Sequence, residues 1–127
     1  MSRLFCTAIA TTIAFGAPDL ARGQSAETTH VAEIVTFRVA DGISDWDFIA
    51  AAKTTEAFVQ AAPGFISRTL SQDEDGLWTD YVIWASMDDA KAAAEAIMKD
   101  DTVLPFLNAI KPNSVAMRHA EILIQME

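Results

Sequence analysis

The chain has 127 residues, with 18 acidic against 9 basic side chains and a formal net charge of −9. A composition of 51% hydrophobic and 21% charged residues excludes a disordered chain and fits a single globular domain. The acidic balance, with basic residues scattered singly from Arg38 to Arg118, excludes nucleic acid as a partner, because phosphates would be repelled.

Residues 1–26 are unlike the rest. Arg3 gives a positive start, Leu4–Ala17 is an apolar run broken only by small residues and threonines, and Pro18 ends it. That order predicts a secretory signal peptide, cut after Gly23 or after Ala26, and therefore an exported protein, periplasmic or secreted. The run is too short to span a bilayer comfortably, and no later segment is apolar enough, so no membrane partner is expected after the leader is removed. Without the leader, 7 basic and 17 acidic residues remain, a net charge of −10 on residues 27–127. The single cysteine, Cys6, falls in the leader. Disulfides, thiolate nucleophiles and cysteine-based metal sites are thus excluded from the mature domain.

Along residues 27–127 the hydrophobic pattern switches between a period of two and a period of 3.6. Val31–Val39 alternates Val31, Val35, Phe37 and Val39 against Ala32, Thr36 and Arg38, which predicts a strand ending at the Asp41-Gly42 turn. Ser44 is placed to cap a helix with Asp47 three residues on, while Ile43 and Phe48 are spaced for a hydrophobic staple. The buried stripe of that helix is Phe48, Ala51, Ala52, Thr55, Val59 and Ala62, and Pro63-Gly64 ends it. Phe65–Gln72 and Leu77–Ala85 are predicted strands, joined by a tight acidic turn at Asp73–Gly76. That turn lacks the ligand spacing of a calcium loop and is read as solvated. Ser86 and Asp89 repeat the capping pattern for an alanine-rich helix to about Asp100, with Asp88 and Asp89 at its positive end and Lys99 near its negative end. Residues 102–111 form an irregular turn or short helix, and Val115–Met126 is the last strand.

The order is β-α-β-β-α-β, the ferredoxin-like α+β arrangement: an antiparallel sheet in the order 4-1-3-2 with both helices on one face. For a hairpin turn of two or four residues, Ile66, Leu70, Leu77, Tyr81 and Ile83 share the helix-covered side with Val35, Phe37 and Val39, and with Ile122, Ile124 and Met126. Phe65, Ser67, Thr69, Ser71, Trp78, Asp80, Val82 and Trp84 then fall on the other side with Ile34, Thr36, Met117, His119 and Glu121. A turn of three residues would invert this sorting. So aromatic a face needs cover from solvent, and the expectation is a homodimer, two sheets face to face enclosing a barrel.

The segment Pro63-Gly64-Phe65, then Asp80–Trp84 followed by Ala85-Ser86 and an alanine-rich helix, resembles the antibiotic biosynthesis monooxygenase (ABM) superfamily. The resemblance implies a dimeric α/β barrel that binds a small hydrophobic or aromatic molecule between sheet and helices. Some members oxygenate aromatic compounds without metal or flavin, and others degrade haem. Trp84 matches a tryptophan of the haem-degrading members, but their helix-borne histidine has no counterpart at residues 90–111, and neither Ile34 nor Thr36 is their strand-one asparagine. Haem is therefore disfavoured, and no cofactor is expected.

His119 and Asp80 are the candidate catalytic residues: an imidazole can act as acid or base near neutral pH. Trp84, Thr36, Thr69, Phe65 and Met117 are the candidate pocket. Asp80, Glu121 and His119 together have the donor types for a divalent metal, but one intervening strand holds Asp80 roughly 10 Å from His119, so no metal site is predicted. Arg68 is expected to face the helices in an ion pair with a nearby acid. No phosphate loop, Ser-His-Asp set or deaminase zinc motif is present. Two readings stay open: an ABM-like cofactor-independent monooxygenase, and a non-catalytic exported ligand-binding or stress-related protein of the same fold.

Overall fold

The computed structural model describes residues 29–127; the leader expected over residues 1–26, with Cys6, lies outside the described residues. The elements are β1 (Val31–Phe37), α1 (Asp45–Lys53), α2 (Glu56–Ala61), β2 (Phe65–Gln72), β3 (Trp78–Trp84), α3 (Met87–Ile97), a 3-10 turn (Asp101–Val103), α4 (Leu104–Asn108) and β4 (Ala116–Glu121). The sheet is antiparallel throughout, in the order β2-β3-β1-β4. This is the expected ferredoxin-like arrangement, with the helices packed on one side.

Local chemistry sets the helix ends. The Ser44 and Ser86 hydroxyls each accept from the backbone N–H three residues on, at 3.1 Å, satisfying a donor that the helix cannot. Asp45 and Asp47, and Asp88 and Asp89, stand in the first turns, where the helix dipole favours carboxylates. The predicted helix over residues 44–62 is two helices. Thr54 and Thr55 turn their hydroxyls back onto the carbonyls of Ala51 and Ala52, each at 2.6 Å, a bond that competes with the helical ladder and bends it. Gly64 takes φ +80°, and a Cβ there would collide with the Asp89 carboxylate. Its carbonyl accepts from Ala85 N at 2.7 Å, tying the start of β2 to the end of β3.

The hairpin corrects the expected sorting of faces. Gln72 pairs with Trp78, so the loop 73–77 has an odd number of residues, and Leu70 stands beside Asp80, not beside Tyr81. The Asp73 side chain sets this loop by accepting from the N–H groups of Asp75 and Leu77, both at 2.9 Å, while Gly76 takes φ +82°. Slipping by one residue turns every side chain over. Trp78, Asp80, Val82 and Trp84 consequently point to the helices, and Tyr81 and Ile83 to the open side. A bulge between Phe65 and Ser67 carries Phe65 to the helix side as well, opposite Trp84, whereas both were expected on the open face.

The last strand is also turned over relative to expectation. Met117, His119 and Glu121 pair with Val35, Glu33 and Val31, so His119 belongs to the helix-covered face. The connection before β4 fixes this: Arg38 accepts from Lys111 N, its own N–H donates to Ser114 Oγ, and Asn113 takes φ +65°. β4 ends at Glu121, and Leu123, Ile124 and Met126 beyond it are exposed.

Two apolar clusters fill the layer between sheet and helices. One joins Phe37, Phe48, Trp78 and Phe106, with the Phe48 and Trp78 ring centroids 4.7 Å apart. The other joins Val31, Val82, Trp84, Ala90 and Ala93. Fully burying one such side chain stabilises the fold by about 1.5–3 kcal/mol. Between the two clusters lies a band of polar side chains.

Candidate functional site

That band is built from four strands and one helix junction. Across the sheet, Arg68 on β2, Val82 on β3, Glu33 on β1 and His119 on β4 stand in one row on the helix side. Asp80 lies one step along β3. The Arg68 guanidinium grips both Asp80 carboxylate oxygens, Nε to Oδ1 at 2.9 Å and Nη2 to Oδ2 at 2.7 Å, and also donates to the buried Thr55 hydroxyl. Its Cζ lies 5.5 Å from the Phe106 ring centroid. Such a two-pronged pair is the geometry in which arginine and carboxylate best compensate one another's desolvation.

At the other end of the row, His119 Nε2 meets Glu33 Oε2 at 2.8 Å, with only 16% and 12% of the two side chains exposed. A small cavity of about 50 Å³ opens between these polar groups and the helices. Glu33, Arg68, Asp80 and Trp84 form its sheet wall, and Phe58 of α2 and Ala93 of α3 are among its covering residues. The Trp84 Nε1–H is buried in that wall and has no hydrogen-bond partner among the described residues, an arrangement that costs about 1–3 kcal/mol when nothing occupies the donor. Phe58 and Ala93 also line a groove of about 440 Å³ between α2 and α3, and Val59 and Arg68 a groove of about 380 Å³ between the α1–α2 pair and β2. The cavity by itself has room for water only. Displacing Phe58 would join it to the outer groove.

The expected site residues divide. Asp80 and Trp84 line the cavity, and His119 touches it through Glu33. Both oxygens of Asp80 are engaged by Arg68, so Asp80 is not free to act as a base. Phe65 packs edge-on against Trp84, their ring centroids 6.0 Å apart. Thr36 and Thr69 pair with Thr79 and Tyr81 on the open side, where they were expected, while the inverted hairpin register takes Trp84 and Asp80 to the other face. Met117 is half exposed on the edge strand and shares a shallow hollow with Thr36, Ile34 and Arg118. The expected pocket therefore does not gather into one place. Asp80 and His119 lie on strands separated by β1, as anticipated. Among the described residues no group of three or more His, Cys, Asp or Glu side chains converges as a metal site would require.

Sequence reasoning missed Glu33 altogether, although a signal was available. It is the one charged residue at an inward position of an otherwise apolar alternation, Val31-x-Glu33-x-Val35-x-Phe37. A carboxylate there must find a partner or a function.

Taken together, a four-stranded antiparallel sheet, helices on one side and a cavity between them have the ferredoxin-like α+β fold of ABM proteins. A protein from Bordetella bronchiseptica assigned by name to the antibiotic biosynthesis monooxygenases superposes with a TM-score of 0.65 at 15% identity, covering 76% of this chain and 100% of the other. SnoaB of Streptomyces nogalater, a cofactor-independent oxygenase, gives a TM-score of 0.54 at 20% identity, covering 79% and 97%. A protein of Chloroflexus aurantiacus, also named for the ABM family, gives 0.59 at 17%, covering 78% and 98%. No family model and no curated protein matches the sequence. At these identities the likeness is one of fold.

Proposed function

We propose that this chain is an exported ABM-like protein that admits a small hydrophobic or aromatic molecule between its sheet and helices and oxygenates it without a cofactor. One observation carries the reading: the unpartnered Trp84 Nε1–H in the wall of a cavity that also holds Glu33 and the Arg68–Asp80 pair. A donor in that position awaits an acceptor, and Phe58 stands between it and the apolar groove of α2 and α3, the entry that a ligand would take by displacing that side chain. SnoaB, similar in fold, is a cofactor-independent oxygenase, which supports the reaction class.

A second copy of the chain is part of the proposal. Ile34 and Tyr81 lie on the side of the sheet without helices, and Leu123, Ile124 and Met126 beyond β4 are 84%, 82% and 89% exposed. Apolar surface of that kind is stabilised by a partner, and a matching sheet from a second molecule would cover it.

Native mass spectrometry of protein purified from its own host tests leader removal, dimerisation and retained ligand in one measurement. Oxygen uptake with the retained molecule then tests the reaction. A dimer carrying a small molecule that consumes oxygen supports the whole reading. Tight binding without oxygen uptake would favour a binding protein without catalysis, and a ligand-free monomer would overturn the proposal.

A further inference from the structure

We infer that Glu33 is the proton acceptor of this cavity and His119 the positioning residue behind it, a pair suited to a ligand with a weakly acidic hydroxyl. The inference rests on the proposed reading of the cavity as a ligand site. Two carboxylates stand in its wall, Glu33 and Asp80. They are not equivalent. Arg68 holds both oxygens of Asp80, and a guanidinium does not give up its proton in a protein. Glu33 has an imidazole as its partner instead, bonded through Oε2 alone, which leaves Oε1 to accept from a ligand. Glu33 is therefore the carboxylate with an oxygen available to take a proton from a ligand, and Asp80, held at both oxygens, is not.

The surroundings favour that role. The remaining cavity wall on the helix side is Phe58, Val59, Ala93, Ala94, Ile97 and Phe106, none of them titratable. Glu121, the other acid on this face of β4, pairs with Val31 and is exposed. β4 is an edge strand, and the His119 side chain keeps 16% of its surface exposed, so the Glu33–His119 pair stands at the rim of the row. Trp84 is the diagonal neighbour of Glu33 on the adjoining strand, about 7–8 Å away in sheet geometry, so one small molecule that displaces Phe58 can reach both. Its free N–H would stabilise the oxygen anion left behind.

The step balances without a redox partner. The ligand O–H bond breaks and its electron pair stays on the ligand oxygen. The proton bonds to Glu33 Oε1, leaving a neutral carboxylic acid whose Oε2 still accepts from the His119 Nε2–H. Nothing is oxidised or reduced.

The probe is 4-nitrophenol, whose anion is yellow and whose neutral form is colourless, added to the mature protein at a pH below its ionisation midpoint in water. Equilibrium dialysis measures binding independently of colour. The expected result is a bound probe whose ratio of anion to neutral form exceeds that of free probe by about tenfold, one pKa unit. Glu33→Gln, which keeps the shape and a hydrogen bond to His119, should bind the probe but return the ratio to the free value. Glu33→Asp should retain part of the colour, and His119→Leu, which removes the donor that positions Glu33, should lose most of it while His119→Gln keeps part. A purely structural bond between β1 and β4 would leave the colour unchanged in Glu33→Gln, and that outcome overturns the assignment. Probe bound colourless to the native protein also overturns it while leaving the ligand site standing. Failure of 4-nitrophenol to bind removes the ligand-site reading and the inference with it. Circular dichroism establishes that each variant is folded.

Discussion

Glu33 and His119 lie 86 residues apart in the chain and meet at 2.8 Å beneath the helices, on neighbouring strands in direct register. The contact joins the first strand to the last and holds Glu33 in the cavity wall from behind. His119→Ala removes the imidazole and leaves the Glu33 carboxylate largely buried without its partner. The expected loss is about 1–3 kcal/mol of stability, read as a lower urea midpoint with an unchanged denaturant slope.

The Arg68–Asp80 pair is expected to be worth more to the fold than to any chemistry. Asp80→Ala strands a guanidinium between the two apolar clusters and should cost about 3–5 kcal/mol. Replacing both residues, Arg68→Met with Asp80→Leu, should recover most of that loss, because two apolar side chains do not need desolvation compensated. Chemical denaturation of the single and double variants tests it. A double variant no more stable than Asp80→Ala would refute the argument.

Gly64 is required twice over, by its φ of +80° and by the Asp89 side chain packed against it. Gly64→Ala should destabilise by more than about 1 kcal/mol, the usual scale for alanine forced to positive φ, since the carboxylate must also move. Asp89→Ala removes the obstacle, so the glycine substitution should be milder in that background. Thermal unfolding of the two single variants and the double variant measures the coupling.

Asp100 gives a dependence on acid. Its carboxylate accepts from the Thr102 hydroxyl at 2.6 Å and from the Thr102 N–H at 2.9 Å, and these bonds hold its pKa below the usual aspartate value. A lowered folded-state pKa means the contribution is fully present above the unfolded value, near 3.9, and is lost as the pH falls through the folded one. Thr102→Val keeps the backbone bond and removes the hydroxyl, so the Asp100 midpoint should rise toward that of an unperturbed side chain. Carbon-detected NMR titration of the carboxylate reads the change directly.

The sequence determined the elements and their order, because each rests on chemistry local to a few residues. Ser44 and Ser86 cap helices wherever the chain goes, Pro63-Gly64 stops one, and alternation marks the strands. The ferredoxin-like arrangement and the strand order follow from that succession. The resemblance at residues 63–94 pointed to the fold that SnoaB and similar structures share.

Which side of the sheet each residue faces was decided only in three dimensions. Strand parity depends on the number of residues in a loop, and the paired ends of β2 and β3 are fixed by the Asp73 carboxylate and Gly76 within it. A single residue of difference moved Asp80 and Trp84 under the helices and left Thr36 and Thr69 on the opposite side. The partner of Glu33 was equally beyond local reading, since it arrives on the last strand through a connection pinned to Arg38. Short-range propensities act over a few residues, whereas a cavity is assembled from side chains that only the completed sheet brings together.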